Sequence, residues 1–338
     1  MLTVLIATRD GARTLPTTLA ALVALEAPAG GWRLVVVDNG SRDGTPRILD
    51  DFRQQLPLTS LVEPRPGKNV ALNRGLAEVA GDLVVFTDDD VVPRTDWLRQ
   101  LRAAADARPE VTVLGGAILP RWEQQPPAWI LSWVPLGPMY ALLDPAEEGP
   151  IPPRRAFGPN LAIRAEVFAR GYRFAEDIGP DGTARYAMGS EAELVRRLEA
   201  AGATGWHCPT AIVEHIIRPY QLEAAWLWER ALRYGRGQYR LALAARGPAL
   251  PAWLGVPRYL IRRLLAEALA VARARMRGDS ERAFTARWQL SYTAGAVWEA
   301  WSRRHGREPR RPSAGRPRPC STSPRASGRR SGGPPRAR

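Results

Sequence analysis

The sequence predicts an α/β fold: a mostly parallel mixed sheet flanked by helices, followed by a C-terminal helical extension. Three observations predict it. Short apolar runs alternate with segments of helical period over roughly the first 120 residues. Those runs are continuously apolar rather than alternating, which is how strands covered on both faces read. From Gln221 onward the helical period persists without a strand-like run.

The elements follow in order. Leu2–Ala7 is the first strand, and Thr14–Leu25 has helical spacing. Trp32–Val37 is a second strand that ends in Asp38-Asn39-Gly40-Ser41. Thr45–Gln55 is helical, Thr59–Glu63 is a short strand, and Lys68–Ala80 is helical. Asp82–Thr87 is a strand, Asp96–Ala107 a helix, and Val111–Ile118 closes the series. Residues 121–160 read as irregular, with many Pro and with Trp122, Trp129 and Trp133. Loops this long are usually functional or disordered. Exposed aromatics there would suit sugar or lipid contacts, and a loop pinned by its Trp residues fits equally well. Glu191–Ala200 is helical and Ala211–Ile217 strand-like. Helices are then expected over 221–245, 256–277 and 279–304. Tyr259–Arg275 mixes apolar residues with several Arg. That suits either a helix lying on a membrane surface or ordinary helix packing.

The chain is 45% hydrophobic and 24% charged, ordinary for a globular protein. Its net charge of +14 is uneven: residues 306–338 hold ten Arg and one Glu, a net +9, leaving +5 for residues 1–305 by subtraction. That Pro-, Ser- and Gly-rich tail cannot bury a core and is expected to be disordered. Its charge could attract anionic lipid, but a solvated tail is the simpler reading, and nucleic acid is not an expected partner. Cys208 and Cys320, one in the body and one in the tail, argue against a structural disulfide. The chain starts without a basic leader, and no uncharged apolar run reaches the roughly 18 residues of a membrane span. The expected location is cytoplasmic, with peripheral contact with the inner face of the membrane left open.

The run VVFTDDDVVP places Asp88, Asp89 and Asp90 together at a strand end. Like charges so close repel, and each is costly to desolvate, unless a bound divalent cation offsets both effects. An acidic turn left in water is the alternative. In parallel sheets, ligands bind at the carboxyl ends of strands. Asp38 ends another strand, so two acidic strand ends face one crevice, which weakens the solvated-turn reading. Lys68 is the sole lysine among 48 basic residues and stands just before a helix. An ammonium there suits a phosphate, although one residue is thin support.

Six motifs occur in one order: TRDGARTL, DNGSRDGT, PGKNVALNRGLAEVAGD leading into VVFTDDD, GPNLAIRAEVF, GSEAELVRRL and CPTAIVEH. This order resembles the family 2 glycosyltransferases of the GT-A (Rossmann-like) fold, over about residues 1–235. DNGSRDGT resembles the family's D-[DN]-G-S-x-D-G-T, TDDD its DxD motif, and GSEAELVRRL its GEDxxLxxRL block. The resemblance implies a nucleotide-sugar donor, with a UDP-sugar favoured, and a divalent metal, Mg²⁺ or Mn²⁺. It implies Asp90 and Asp88 on the metal or ribose, Asp38 reading the base, Thr8 bordering it, and His215 near metal and diphosphate. Lys68 and Asn73, in the PGKN…N block, fall to the donor. Glu191 falls at the position of the base, with Glu193 as runner-up. Ser190 departs from the usual acid, Leu72 from a common basic residue, and His207 has no match and reads as structural.

The expected organisation is a GT-A domain at 1–220, a helical extension at 221–305 and the tail at 306–338. The expected activity is inverting transfer of a sugar to a hydroxyl of a glycan, a lipid-linked molecule or a small molecule, in polysaccharide or glycoconjugate biosynthesis. A sugar-phosphate nucleotidyltransferase is one rival, although TRDGARTL makes a poor phosphate loop. A non-catalytic nucleotide-sugar-binding scaffold is the other.

Overall fold

The computed structural model describes residues 1–144, 147–244 and 252–304. The expected tail and Cys320 lie outside the described residues. The centre is a mixed sheet in the order β3-β2-β1-β4-β8-β6-β9-β5, with β7 pairing on β9. Strands β1 (Leu2–Thr8), β2 (Trp32–Asp38), β3 (Leu58–Val62) and β4 (Leu83–Thr87) are mutually parallel. β1, β2 and β4 carry the apolar runs, and Leu2, Val4, Leu5, Ile6, Val35, Val36, Val84 and Val85 are fully buried. Helices α1 (Leu15–Val23), α2 (Thr45–Phe52), α3 (Lys68–Gly75) and α4 (Trp97–Ala107) connect the strands. The two apolar cores fall on opposite sheet faces, as the side-chain alternation requires: Val4 and Val36 lie in one, Leu5 and Val37 in the other.

Beyond β4 the sheet becomes mixed. The short strand β5 (Val91–Pro93) runs antiparallel to the later strand β9 (Gly205–Ile217). β6 extends over Val113–Trp122, four residues further than Val111–Ile118 predicts, because its end pairs with β9 up to Trp122↔Ile217. β7 (Gly149–Ile151) and β8 (Leu161–Arg164) complete the sheet, β8 running antiparallel to both β4 and β6. Small helices α5 (Ala128–Trp133), α6 (Leu136–Tyr140) and α7 (Ala165–Ala169) and the longer α8 (Ser190–Ala200) fill the connections.

The expectation of an irregular 121–160 segment is therefore corrected. Trp122, Trp129 and Trp133 are partly buried against a core of Ile130, Met139, Tyr140, Leu227, Phe284 and Trp288. The order there comes from distant helices, so local periodicity does not announce it.

Those helices are α9 (Ala224–Ala244), α10 (Arg258–Met276) and α11 (Ser280–Arg304), with a hairpin of β10 (Ala252–Trp253) and β11 (Val256–Pro257) between the first two. α9 and α11 approach backbone to backbone. A Cβ on Gly235 would stand 1.9 Å from the Tyr292 carbonyl oxygen, and one on Gly295 would stand 2.0 Å from that of Leu232. Gly237 sits as closely on the Met188 carbonyl, just ahead of α8, where only a glycine can fit. Glu299, fully buried on α11, is held by Arg236 at 2.8 Å and by Arg240, both on α9. Burying one carboxylate among several guanidiniums avoids an unpaired charge in the interior.

Candidate active site

The site lies at the carboxyl ends of β1, β2 and β4. Register places Thr8 beside Asp38 across the β1–β2 pair. Both are buried, and the Asp38 carboxylate accepts the Ser41 amide at 2.8 Å. The loops after β1 and β2 are stitched together. Gly11 N–H donates to Thr45 Oγ1, Ala12 N–H to Asp43, and Arg42 N–H to Asp10. Much of DNGSRDGT thus serves to shape this loop pair, while Asp38 faces the crevice end of the strand. The Thr8 hydroxyl donates to Asp89, the middle acid of the triplet, to which the resemblance assigns no role.

Asp88–Asp90 form the turn between β4 and β5. Asp90 is fixed by its backbone, since its carbonyl accepts the Ile216 N–H at 2.9 Å. The neighbouring pair Val91↔His215 then sets His215 alongside it. His215 Nδ1 donates to the Tyr140 carbonyl at 2.6 Å, which leaves Nε2 facing Asp90 Oδ1 at 3.4 Å. Arg218 Nη2 holds the other Asp90 oxygen at 3.0 Å. Burial alone would raise the Asp90 carboxyl, but His215 and Arg218 overcome it and hold it at about 2. Among the described residues Asp89 makes no direct ion pair, and Lys68 acts on it only from a distance. Burial and the neighbouring Asp90 charge push its carboxyl up to about 7, against the pull of Thr8.

Lys68 begins α3, the end of a helix where a cation is disfavoured by the helix dipole. Its compensation is direct: Nζ lies 2.6 Å from Asp88 Oδ1 and 2.7 Å from Glu191 Oε1. Burial works against the ammonium, yet these two carboxylates outweigh it and hold Lys68 protonated. Glu191 stands in the first turn of α8 and spends its carboxylate on Lys68, with no side-chain cap on the helix. Glu193 instead closes an ion pair with Arg197 at 2.6 Å. Gly158 lets the chain pass against Glu191, since a Cβ there would lie 2.6 Å from the Glu191 carboxyl carbon. Behind it Asn160, fully buried, accepts from Trp97 and donates to the Ala117 and Ala211 carbonyls, which locks this segment under the sheet.

Of the residues picked from the sequence, the structure joins Lys68, Asp88 and Glu191 through contacts, and likewise Asp90 with His215. Asn73 is engaged elsewhere: its carboxamide donates to the Phe174 carbonyl and accepts the Phe174 N–H, both at 2.9 Å. Asn69 does similar work, and Ser190 hydrogen-bonds to it, which gives that serine a structural use. His207 lies within the sheet opposite Gly115. Arg218 and Arg230 were missed. Arg230, on α9, lies over the Trp226 ring and carries a buried Nε without a hydrogen-bond partner. In a chain so rich in arginine, their only sequence signal is proximity to His215.

Among the described residues, no three His, Cys, Asp or Glu side chains converge as a ready-made metal cage. The donor set nevertheless fits a hard cation of Mg²⁺ or Mn²⁺ type, which commonly takes one or two protein carboxylates and completes its shell with phosphate and water. Asp90 and His215 Nε2 face each other, and the Tyr140 carbonyl holds the Nδ1 proton, so His215 would offer its Nε2 lone pair to a cation once the Nε2 proton is given up, as second-shell partners arrange.

The fold is that of the GT-A glycosyltransferases. It is shared with a mannosyltransferase, PcManGT, from Pyrobaculum calidifontis in complex with GDP-Man and Mn²⁺ (TM-score 0.59, 23% identity, 89% of this chain and 87% of that one). It is also shared with S. aureus TarS 1-349 in complex with UDP-GlcNAc (TM-score 0.52, 16% identity, 90% and 92% of the two chains). Residues 3–167, just under half of the chain, match the family described as glycosyl transferase family 2. The match covers Thr8, Asp38, Lys68 and Asp88–Asp90, while Glu191 and His215 lie beyond it. The pre-mycofactocin glycosyltransferase of Mycobacterium tuberculosis is 29% identical over 238 residues, 66% of this chain and 47% of its own length. This chain thus spans about half of that relative. The β-monoglucosyldiacylglycerol synthase of Synechocystis is 41% identical over 85 residues, 24% of this chain and 18% of its own.

Proposed function

We propose that this protein is a metal-dependent, inverting glycosyltransferase. It takes a sugar from a nucleoside-diphosphate donor, with UDP-sugars favoured, and places it on a hydroxyl of a glycan, lipid-linked or small-molecule acceptor in polysaccharide or glycoconjugate synthesis. One observation carries the reading: Glu191 and Asp88 are held on a single ammonium, so a basic carboxylate and the strand-end acids face the same reacting volume. The ligands bound by the structural neighbours, GDP-Man with Mn²⁺ and UDP-GlcNAc, support the donor class.

Thr8 and Asp38 form the nucleoside end of the pocket, and Lys68 and Asp88 the diphosphate end, with residues 1–220 as the donor-binding unit. Asp90 and His215, with Asp88, would hold the cation, which when bound supplies Lewis-acid stabilisation of the leaving diphosphate. Glu191 accepts the proton of the acceptor hydroxyl as its oxygen bonds to the anomeric carbon. The bond from that carbon to the diphosphate breaks as the new one forms, and the nucleoside diphosphate departs with the electron pair. Lys68 then has two uses: it neutralises Glu191 before the donor arrives and offers a point charge to the phosphates after.

A screen of UDP-, GDP- and dTDP-sugars with Mn²⁺ or Mg²⁺, scoring release of nucleoside diphosphate, tests the reading. Turnover with one donor class, lost on chelation, is expected. Release of pyrophosphate from a nucleoside triphosphate and a sugar phosphate would replace it with nucleotidyl transfer.

A further inference from the structure

We infer that the outward face of α10, together with the tip of the β10–β11 hairpin, is a docking surface for an anionic lipid bilayer. α10 packs on α11 through one side only, where Leu260, Val271 and Ala274 are buried. On the opposite side Leu265, Leu269 and Met276 are 65%, 48% and 79% exposed. With Ala272 they step along the helix at intervals of four, three and four, which keeps them on one line. Trp253 and Leu254, at the hairpin turn that leads into α10, are 62% and 63% exposed. Six of the twelve large exposed apolar side chains of the described residues fall within 253–276. Single exposed apolar residues are ordinary, whereas a continuous line of them marks a contact surface.

The charges beside the line select the partner. Arg258, Arg262, Arg273 and Arg275 are exposed on the same helix, and Arg277 follows it. Helical spacing puts Arg262 and Arg273 on one flank of the apolar line and Arg275 on the other. The helix has one acid, Glu267, already taken by Arg263 at 2.7 Å. A second copy docked on this face would set arginine rows against each other with no acid left on the helix to answer them. Lipid phosphates answer them directly, while the long arginine stems lie along the acyl boundary. No helix of the described residues is long and apolar enough to cross a membrane, so the geometry is that of a helix lying in the interface plane. Trp253 at the edge suits the same depth, its ring in the apolar layer and its N–H toward headgroups.

The experiment is co-sedimentation of the full chain with phosphatidylcholine vesicles, with and without phosphatidylglycerol, at low and high salt. Binding to the anionic vesicles, weakened by salt, is expected. The variant Leu265→Gln/Leu269→Gln/Met276→Gln should weaken it by roughly tenfold or more, as should Arg262→Gln/Arg273→Gln/Arg275→Gln. Leu131→Gln, an exposed apolar residue elsewhere, serves as control and should change nothing. Thermal unfolding and UDP binding on the same preparations establish that each variant is folded. The inference is overturned by wild-type vesicle binding in the folded apolar variant, by no vesicle binding of the unmodified chain, or by equal binding to neutral vesicles. It is also overturned if light scattering shows a dimer that the apolar variant makes monomeric.

Discussion

Lys68 Nζ stands 2.7 Å from Glu191 Oε1, so the chain's sole lysine and the candidate base neutralise each other across two helix starts. With Asp88 on the same ammonium, one positive charge restrains two carboxylates whose side chains are 23% and 16% exposed.

Lys68→Met removes that restraint. We expect a loss of about 1–3 kcal/mol, the usual cost of leaving a mostly buried charge unpaired. Adding Asp88→Asn should recover part of it, because the like-charge conflict with Glu191 disappears. Urea unfolding of the single and double variants measures both terms, and a double variant no more stable than the single one rejects the account.

Glu191→Gln should reduce transfer by roughly 10²–10⁴-fold and leave nucleotide affinity near wild type. The amide keeps the shape but cannot take the acceptor's proton. Steady-state transfer and equilibrium UDP binding on one preparation check the two halves. Near-normal turnover would exclude Glu191 and turn attention to Glu193, even though Arg197 holds that residue.

Asp90→Ala should abolish metal-dependent donor binding. It removes the carboxylate that faces His215 Nε2 and leaves Arg218 without its acid partner. Calorimetry of UDP with Mn²⁺ reads this directly, and an unchanged affinity would refute the assignment.

Glu63→Gln gives a pH-dependent effect on stability rather than on chemistry. The hydrogen bond from Arg65 holds the Glu63 carboxyl below its ordinary value. A depressed folded value means stability present above the unfolded value, about 4.3, and lost as pH falls through the folded one. The variant should therefore be weaker at pH 7, by about 1 kcal/mol at most because Arg65 is largely in solvent. The gap should close toward pH 3. Denaturant titrations at both pH values decide, and a gap that widens on acidification contradicts the sign.

Gly158→Ala should lower turnover more than donor affinity, since the new methyl would press on the Glu191 carboxyl carbon at 2.6 Å unless one of them moves. Comparing kcat with the UDP dissociation constant separates a displaced base from a damaged donor pocket.

The parallel half of the sheet was legible because β1, β2 and β4 are buried on both faces and so read as unbroken apolar runs. β5, β7 and β8 were not, being three or four residues each and stabilised by partners far along the chain. Asp38, Asp88 and Asp90 could be picked out because acids at the ends of apolar strands break the local pattern. Arg218 and Arg230 could not, because arginine is the ordinary residue of this chain and only folding distinguishes these two. The resemblance ranks Glu191 above Glu193, and what the sequence could not show is which cation each meets, Lys68 for Glu191 and Arg197 for Glu193, because both sit in one helical turn.

The glycine contacts of α9 reach in two directions, to α11 through Gly235 and Gly295 and to Met188 through Gly237. Backbones this close cannot separate one at a time. The α9–α11 pair and the entry to α8 should therefore open as one cooperative unit, with amides near Tyr292 and Glu193 exchanging their hydrogens at a common free energy. Anything that tightens or loosens the far helices would then alter how often the Glu191 turn opens, without touching the crevice itself.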